Sequence, residues 1–459
     1  MSRYQPVVAL LALFTLPAMA SGADDVTALR AELQSLKSDY DARVEKLEAR
    51  IQQLESASAA AADAAAAMPA PEPAPPPSPA SGAGAAAFNP SISVVLGGSY
   101  TSAHRDPGDW NIAGFTPAGD EIGPGERSFN LGESEMTIAA SVDPYFSAQL
   151  TAAITGENEI EVEEAFVRTA SLPDGFTAKL GRFFSGLGYL NEVHAHAWDF
   201  IDQPLAYQAM FGGQFTQNGV QVKWIAPTDV FLELGAETGN GDSFPGTRRD
   251  RNGLNGATLF AHVGGDIGDD TSWRAGASWQ ETHADDRNLL VDPLLDSFTG
   301  DSRTWVADAV LKWAPTPRRQ IKLQAEYLRR QERGEFTSDP VSIASPVAYD
   351  NTQEGWYVQG VYQFAARWRA GLRYDRLDSG TPDYRPIVVN PADSGALDAA
   401  HPQRVSMMLD WNPSEFTRLR AQYDLDDARD EGGLFSKNGD RVLRLQYLFG
   451  IGAHGAHKY

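Results

Sequence analysis

The stretch Arg441–Ile451, RVLRLQYLFGI, decides how the chain is read. Leu443, Leu445, Tyr447, Phe449 and Ile451 alternate with Arg444, Gln446, Leu448 and Gly450. Alternation with period two is a strand carrying one apolar and one mostly polar face. The same pattern recurs upstream in weaker form, with no buried helix between the repeats. In lipid, only a helix or a closed sheet satisfies every backbone N–H and C=O, so a long series of such strands reads as a membrane barrel.

From Asn89 onward sixteen candidate strands can be placed, from Ile92–Thr101 to Val442–Ile451. In the middle of the series they are Trp273–Glu281, Thr304–Trp313, Ile321–Arg329 and Trp356–Phe364. Short turn-rich connections such as Asp143-Pro144, Pro173-Asp174-Gly175 and Gly268-Asp269-Asp270 alternate with long polar ones. Short periplasmic turns opposite long outer loops are the outer-membrane arrangement, and an even strand count lets the last strand close on the first. Trp224, Trp313 and Trp411 each stand just before a short turn, which predicts an aromatic belt at one membrane–water boundary. The fold class expected is therefore all-β: a transmembrane antiparallel β-barrel of about 16 strands spanning residues 88–459.

Composition is compatible with this. The chain has 459 residues, no Cys, 38 Lys and Arg against 61 Asp and Glu, and a formal charge of −23. Such acidity excludes a nucleic-acid partner, which needs a basic surface. Residues 1–20 have Arg3, an apolar core over Val7–Leu16 and Ala18-Met19-Ala20, the pattern of a secretory signal peptide. A cut after Ala23 competes with one after Ala20. Between residues 24 and 55, Val26, Leu29, Leu33, Leu36, Tyr40, Val44, Leu47, Ile51 and Leu54 form a heptad seam with one stutter. It predicts a periplasmic coiled-coil helix that assembles with its own copies, or a single amphipathic helix packed on a partner. Residues 56–87 are Ala/Pro-rich and form a semi-rigid linker.

With the apolar parity facing lipid, the other parity faces the lumen. Early strands then offer Glu133, Glu135, Glu161 and Glu163; late ones offer Arg274, Lys312, Lys322, Arg367, Arg369, Arg373, Arg404, Arg418, Arg420 and Arg444. An acidic wall facing a basic wall would set up a transverse field across a water-filled pore. The strand Ile160–Arg168 is ambiguous, because Glu164 falls on the apolar parity.

One connection breaks the rhythm. Residues 184–217 are apolar and aromatic, so they favour burial inside the barrel as a constriction loop. This loop carries Glu192, His194, His196, Asp199 and Asp202. His194 and His196, two apart on an extended segment, share a face and can hold Zn²⁺ or another divalent cation with one carboxylate. His454 and His457 near the C-terminus form a weaker pair. No other cofactor is expected.

The stretch Phe176–Leu190, FTAKLGRFFSGLGYL, followed by this loop, resembles the phosphate-selective porin O/P family. HAHAWDF and the ending GAHGAHKY resemble a porin-like branch of it that is sometimes linked to metal supply. The resemblance implies a trimeric outer-membrane channel with an inward third loop. The acidic early strands depart from the anion-selective pattern, so phosphate selectivity is not carried over. The function expected is a porin for small hydrophilic solutes or ions in contact with outer-membrane lipid. The alternatives are a zinc-linked uptake channel and an envelope tether gripping a periplasmic or cell-wall partner through the coil. A barrel enzyme is not expected, since no Ser/His or Asp/His constellation falls at one depth on neighbouring strands.

Overall fold

The computed structural model describes residues 90–115, 122–155, 159–247, 252–288, 296–338, 346–385, 399–429 and 439–452. The signal peptide, the predicted coil and linker, and His454 and His457 lie outside the described residues.

Sixteen antiparallel strands close into one barrel. They are β1 (Ser91–Ala103), β2 (Ser128–Asn130 and Ser134–Ser141), β3 (Phe146–Ile154), β4 (Ile160–Thr169), β5 (Phe176–Phe184), β6 (Thr216–Ile225), β7 (Phe231–Gly239) and β8 (Gly256–Ile267). Then come β9 (Thr271–Asn288), β10 (Asp296–Thr316), β11 (Arg319–Ser338), β12 (Val347–Ala365), β13 (Trp368–Asp378, resumed at Asp383–Arg385), β14 (Gln403–Ser414), β15 (Thr417–Asp426) and β16 (Asp440–Gly452). The seam pairs β1 with β16 through Val94↔Ile451, Leu96↔Phe449 and Gly98↔Tyr447, leaving neither strand with a free edge. Tyr447 lies over Gly98, where any Cβ would meet its ring.

Side-chain parity sorts as the C-terminal stretch predicts. Leu443, Leu445, Tyr447, Phe449 and Ile451 are exposed on the outside, while Val442, Arg444 and Leu448 are buried. Trp313, Trp368 and Trp411 are outward and exposed at strand ends beside short turns, and Trp368 stacks on Trp411 at 6.1 Å. Several of those turns are two residues long: Pro317-Arg318, Ala366-Arg367 and Glu415-Phe416.

The middle strands run past the lengths expected for them. β9 to β12 have 18, 21, 20 and 19 residues, whereas about 9–11 cross a bilayer. In the protruding part the pattern inverts. Outward residues form cross-strand ion pairs, Arg303–Glu281 at 2.8 Å and Arg333–Asp350 at 2.8 Å. Inward residues Ala284, Phe298, Phe336, Val347 and Tyr349 form an apolar cluster. The wall has left lipid for water there, so the hydrophobic side turns inward.

The main apolar core is also inside the barrel. Leu187, Leu190 and the helix α1 (Leu205–Phe211) pack against Val306, Leu328, Tyr357 and Leu377 of the wall. All seven helix residues are buried, as a helix apolar on every side requires. Gly212 ends it in the left-handed conformation, and Asp375 of β13 accepts from the Leu205 N–H at its start (2.9 Å).

Candidate functional site

Residues 185–215 leave β5 and return to β6, and the two ends are tied together. Ser185 N–H donates to the Phe215 carbonyl (3.0 Å). The buried Asn191 donates to the carbonyls of Ser185 and Phe215 (both 2.8 Å) and accepts from Phe215 N–H (2.7 Å). Between these ends the segment meets the inward side chains of both walls.

Two buried glutamates hold its first turn. Glu237 of β7 accepts from Ser185 Oγ (2.6 Å) and Gly186 N–H (2.8 Å). Glu326 of β11 accepts from the N–H groups of Tyr189 and Leu190 (3.1 and 3.0 Å) and from the hydroxyls of Tyr207 and Tyr357 (2.8 and 2.6 Å). Gly188, at φ +64°, lets the backbone come this close, since a Cβ would stand 2.4 Å from Glu326 Oε2.

The aspartates dock on the basic wall. Asp202 pairs with Arg373 (2.9 Å), Arg404 (2.8 Å) and Arg444 (2.8 Å). Asp199 pairs with Lys322 (3.0 Å) and Arg369 (2.9 Å). Burial alone would raise both carboxyls, but Lys322 and Arg369 around one and Arg404, Arg444 and Arg373 around the other hold them well below the usual carboxylate range. Segment carbonyls take two further guanidinium groups: Trp198 accepts from Arg420 (2.8 Å) and His196 from Arg418 (3.0 Å).

The histidines dock on the acidic wall. His194 Nδ1 lies 3.2 Å from Glu163 and 3.3 Å from Glu135, its Nε2 3.2 Å from Glu164, and His196 Nδ1 2.8 Å from Glu135. Burial by itself would lower the His194 pKa; the bonds to Glu135, Glu163 and Glu164 outweigh it and raise it well above the ordinary imidazole value. Glu163 and Glu164 both reach His194 because β4 bulges between them: Thr151 faces Glu164 and Ala152 faces Val162, leaving Glu163 as the extra residue. The bulge resolves the ambiguous parity of this strand.

A profile described as "Putative beta-barrel porin-2, OmpL-like" matches residues 129–454. The chain belongs to that porin family. It is also 31% identical over 398 residues to an uncharacterized protein of Aquifex aeolicus, covering 81% of this chain and 80% of the other. Among solved structures it is similar to the outer-membrane channel DcaP of Acinetobacter baumannii (13% identity, TM-score 0.48, 79% of this chain and 97% of that one). It is likewise similar to the trimer form of OmpT, an outer membrane protein of Vibrio cholerae (12%, 0.48, 79% and 99%). A third similar structure is an anion-selective porin from Comamonas acidovorans (11%, 0.47, 79% and 99%).

In this outer-membrane porin the residues singled out from sequence fall into three groups. Arg274, Lys312, Lys322, Arg367, Arg369 and Arg418, with Glu192, His196 and Asp199 of the segment, line a cavity of about 1690 Å³. The cavity reaches the turn end of the barrel through Asn412–Thr417 and Gly264–Asp266. Arg373, Arg404, Arg420 and Arg444 face inward but are 1–4% exposed. For these four the expectation of a wall facing open water gives way to burial under the segment, because its aspartates and carbonyls occupy their guanidinium groups. Glu135 is buried and Glu163 half-buried, both on the histidines, while Glu161 is exposed at the inward parity. Glu133 is exposed in the break between the two parts of β2 and lies outside the buried row, since the ladder is interrupted there. The two walls are thus bridged by the segment, whose histidines bond the acids and whose aspartates pair with the bases. Sequence reasoning did not find Glu237 and Glu326. Both stand at inward parity in strands read correctly, so each was marked by a carboxylate on the polar side of an alternating stretch.

Proposed function

We propose that this porin is a passive diffusion channel for small hydrophilic solutes or ions, narrowed by residues 184–217. The observation that carries the reading is the cavity of about 1690 Å³ walled by charged groups on both the barrel and the segment. Ionised side chains are tolerated where they are paired, as Arg373, Arg404 and Arg444 are, or where water solvates them, as the cavity allows for Lys312 and Arg367. Planar-bilayer recording tests it: the full chain should give discrete, ohmic conductance steps, and vesicles left impermeable would overturn it. Replacing residues 186–214 with a short Gly/Ser link should raise the unit conductance severalfold, since the segment and not the barrel wall sets the narrowest section.

Self-association is part of the reading, supported by the heptad seam over residues 24–55, and a trimer is the number that suits a porin. The seam also suits an envelope tether, and the two roles separate cleanly: deleting residues 24–87 should keep conductance and abolish any attachment to the cell wall. Phosphate selectivity forms no part of the proposal, because the inward carboxylates Glu135, Glu163 and Glu164 share the lumen with the arginines.

A further inference from the structure

The contacts of His194 leave something unexplained. Three carboxylates, those of Glu135, Glu163 and Glu164, converge on one imidazole, and none of the three forms an ion pair with a Lys or Arg among the described residues. Elsewhere in the lumen carboxylates such as Asp199, Asp202, Asp410 and Asp424 are matched by guanidinium or ammonium groups. Here the groups facing the carboxylates are two histidines, whose neutral imidazoles are metal ligands.

The spacing is that of a coordination shell. Zn²⁺ at its usual 2.0–2.2 Å from N and O donors holds neighbouring ligand atoms about 3.3 Å apart in a tetrahedron. The Nδ1 atom of His194 is 3.3 Å from Glu135 Oε2 and 3.2 Å from Glu163 Oε2, and the ligand atoms of these three residues all lie within 4.8 Å of one another. His196 Nδ1 lies outside this group and bonds the same Glu135 oxygen at 2.8 Å, so it orients that carboxylate from behind. Glu164 stands on the other side of the ring, 3.2 Å from His194 Nε2, where it fixes the tautomer that leaves Nδ1 for the metal. The site is also built rather than incidental, because the β4 bulge spends an extra residue to aim Glu163 and Glu164 at one ring. His196 borders the cavity, which gives an ion a way in.

We propose that Glu135, Glu163 and His194 form a binding site for a divalent transition metal of the zinc type, with His196 positioning the Glu135 carboxylate. A set of one imidazole and two carboxylates, with a fourth position left for water, suits Zn²⁺ or a neighbouring first-row ion over Ca²⁺ or Mg²⁺, which prefer all-oxygen shells. Bound there, the metal pins residues 194–196 to β2 and β4, so the constriction is metal-linked.

Equilibrium titration of the detergent-solubilised, chelator-stripped full chain with Zn²⁺ alone tests this, and it does not require the channel to conduct. The wild-type chain should take up one tightly bound equivalent, with a zinc-edge spectrum showing one imidazole scatterer. That equivalent should persist in His454→Gln/His457→Gln and vanish in Glu163→Gln/His194→Gln. Glu164→Gln should keep it at about tenfold to a hundredfold lower affinity. Heat-shifted migration on gels, equal across the variants, shows that each barrel is folded. Equal stoichiometry in the wild type and in folded Glu163→Gln/His194→Gln would overturn the proposal, as would loss of the tight equivalent in the His454→Gln/His457→Gln chain.

Discussion

Asp202 joins strands β13, β14 and β16 to the segment through three guanidinium groups. Removing one partner of a buried ion cluster strands the others, at about 3–5 kcal/mol. Asp202→Asn should therefore lower the thermal stability of the folded barrel far more than Asp383→Asn, whose pair with Arg385 is exposed. Differential scanning calorimetry in detergent would compare them. Asp199 borders the cavity, so Asp199→Asn should release Lys322 toward it, while Arg369 keeps its pair with Asp410, and shift the reversal potential in a KCl gradient toward anions. Unchanged selectivity would show that permeating ions do not pass this level. The pH dependence follows from the sign of the shifts. Both carboxyls are depressed, so their stabilisation is fully present above the unfolded value near pH 4 and is lost only as pH falls through the lower folded values. Amide exchange over residues 205–211, corrected for intrinsic rates, should stay equally protected from pH 7 to about pH 5.

At the scale of elements, β16 offers the cleanest test of alternation. Leu445→Arg places a charge on the lipid face and should cost about 2–4 kcal/mol near the bilayer midplane, whereas the neighbouring Gln446→Glu points inward opposite Arg420 and should fold normally. Folding yield into lipid vesicles reads both. β3 keeps an apolar outward face from Phe146 through Leu150 to Ile154, so its period runs the whole length of the strand. β9 to β12 were cut short because their outward residues become charged once the wall leaves the bilayer, so the apolar parity disappears where Arg303 and Arg333 begin. The β4 bulge was invisible for a related reason: inserting one residue shifts parity, and Glu164 then looks as though it belongs with the lipid-facing set.

For the molecule as a whole, closure is what turns sixteen marginal strands into one object, since no edge remains to pair with another chain. The amino-acid sequence by itself determined the barrel, its strand number, its membrane faces and the odd character of residues 184–217. Each of these is written in local periodicity or local composition, which the solvent reads one residue at a time. Only the tertiary structure decided which lumen charges meet. Glu135 and His196 are separated by 61 positions and Asp202 and Arg444 by 242, and closure of the ring brings each pair within 3 Å. Ion pairing and metal coordination act over a few ångströms and carry no period along the chain, so the histidine–glutamate cluster and the arginine cradle exist only once the ring has closed around the segment.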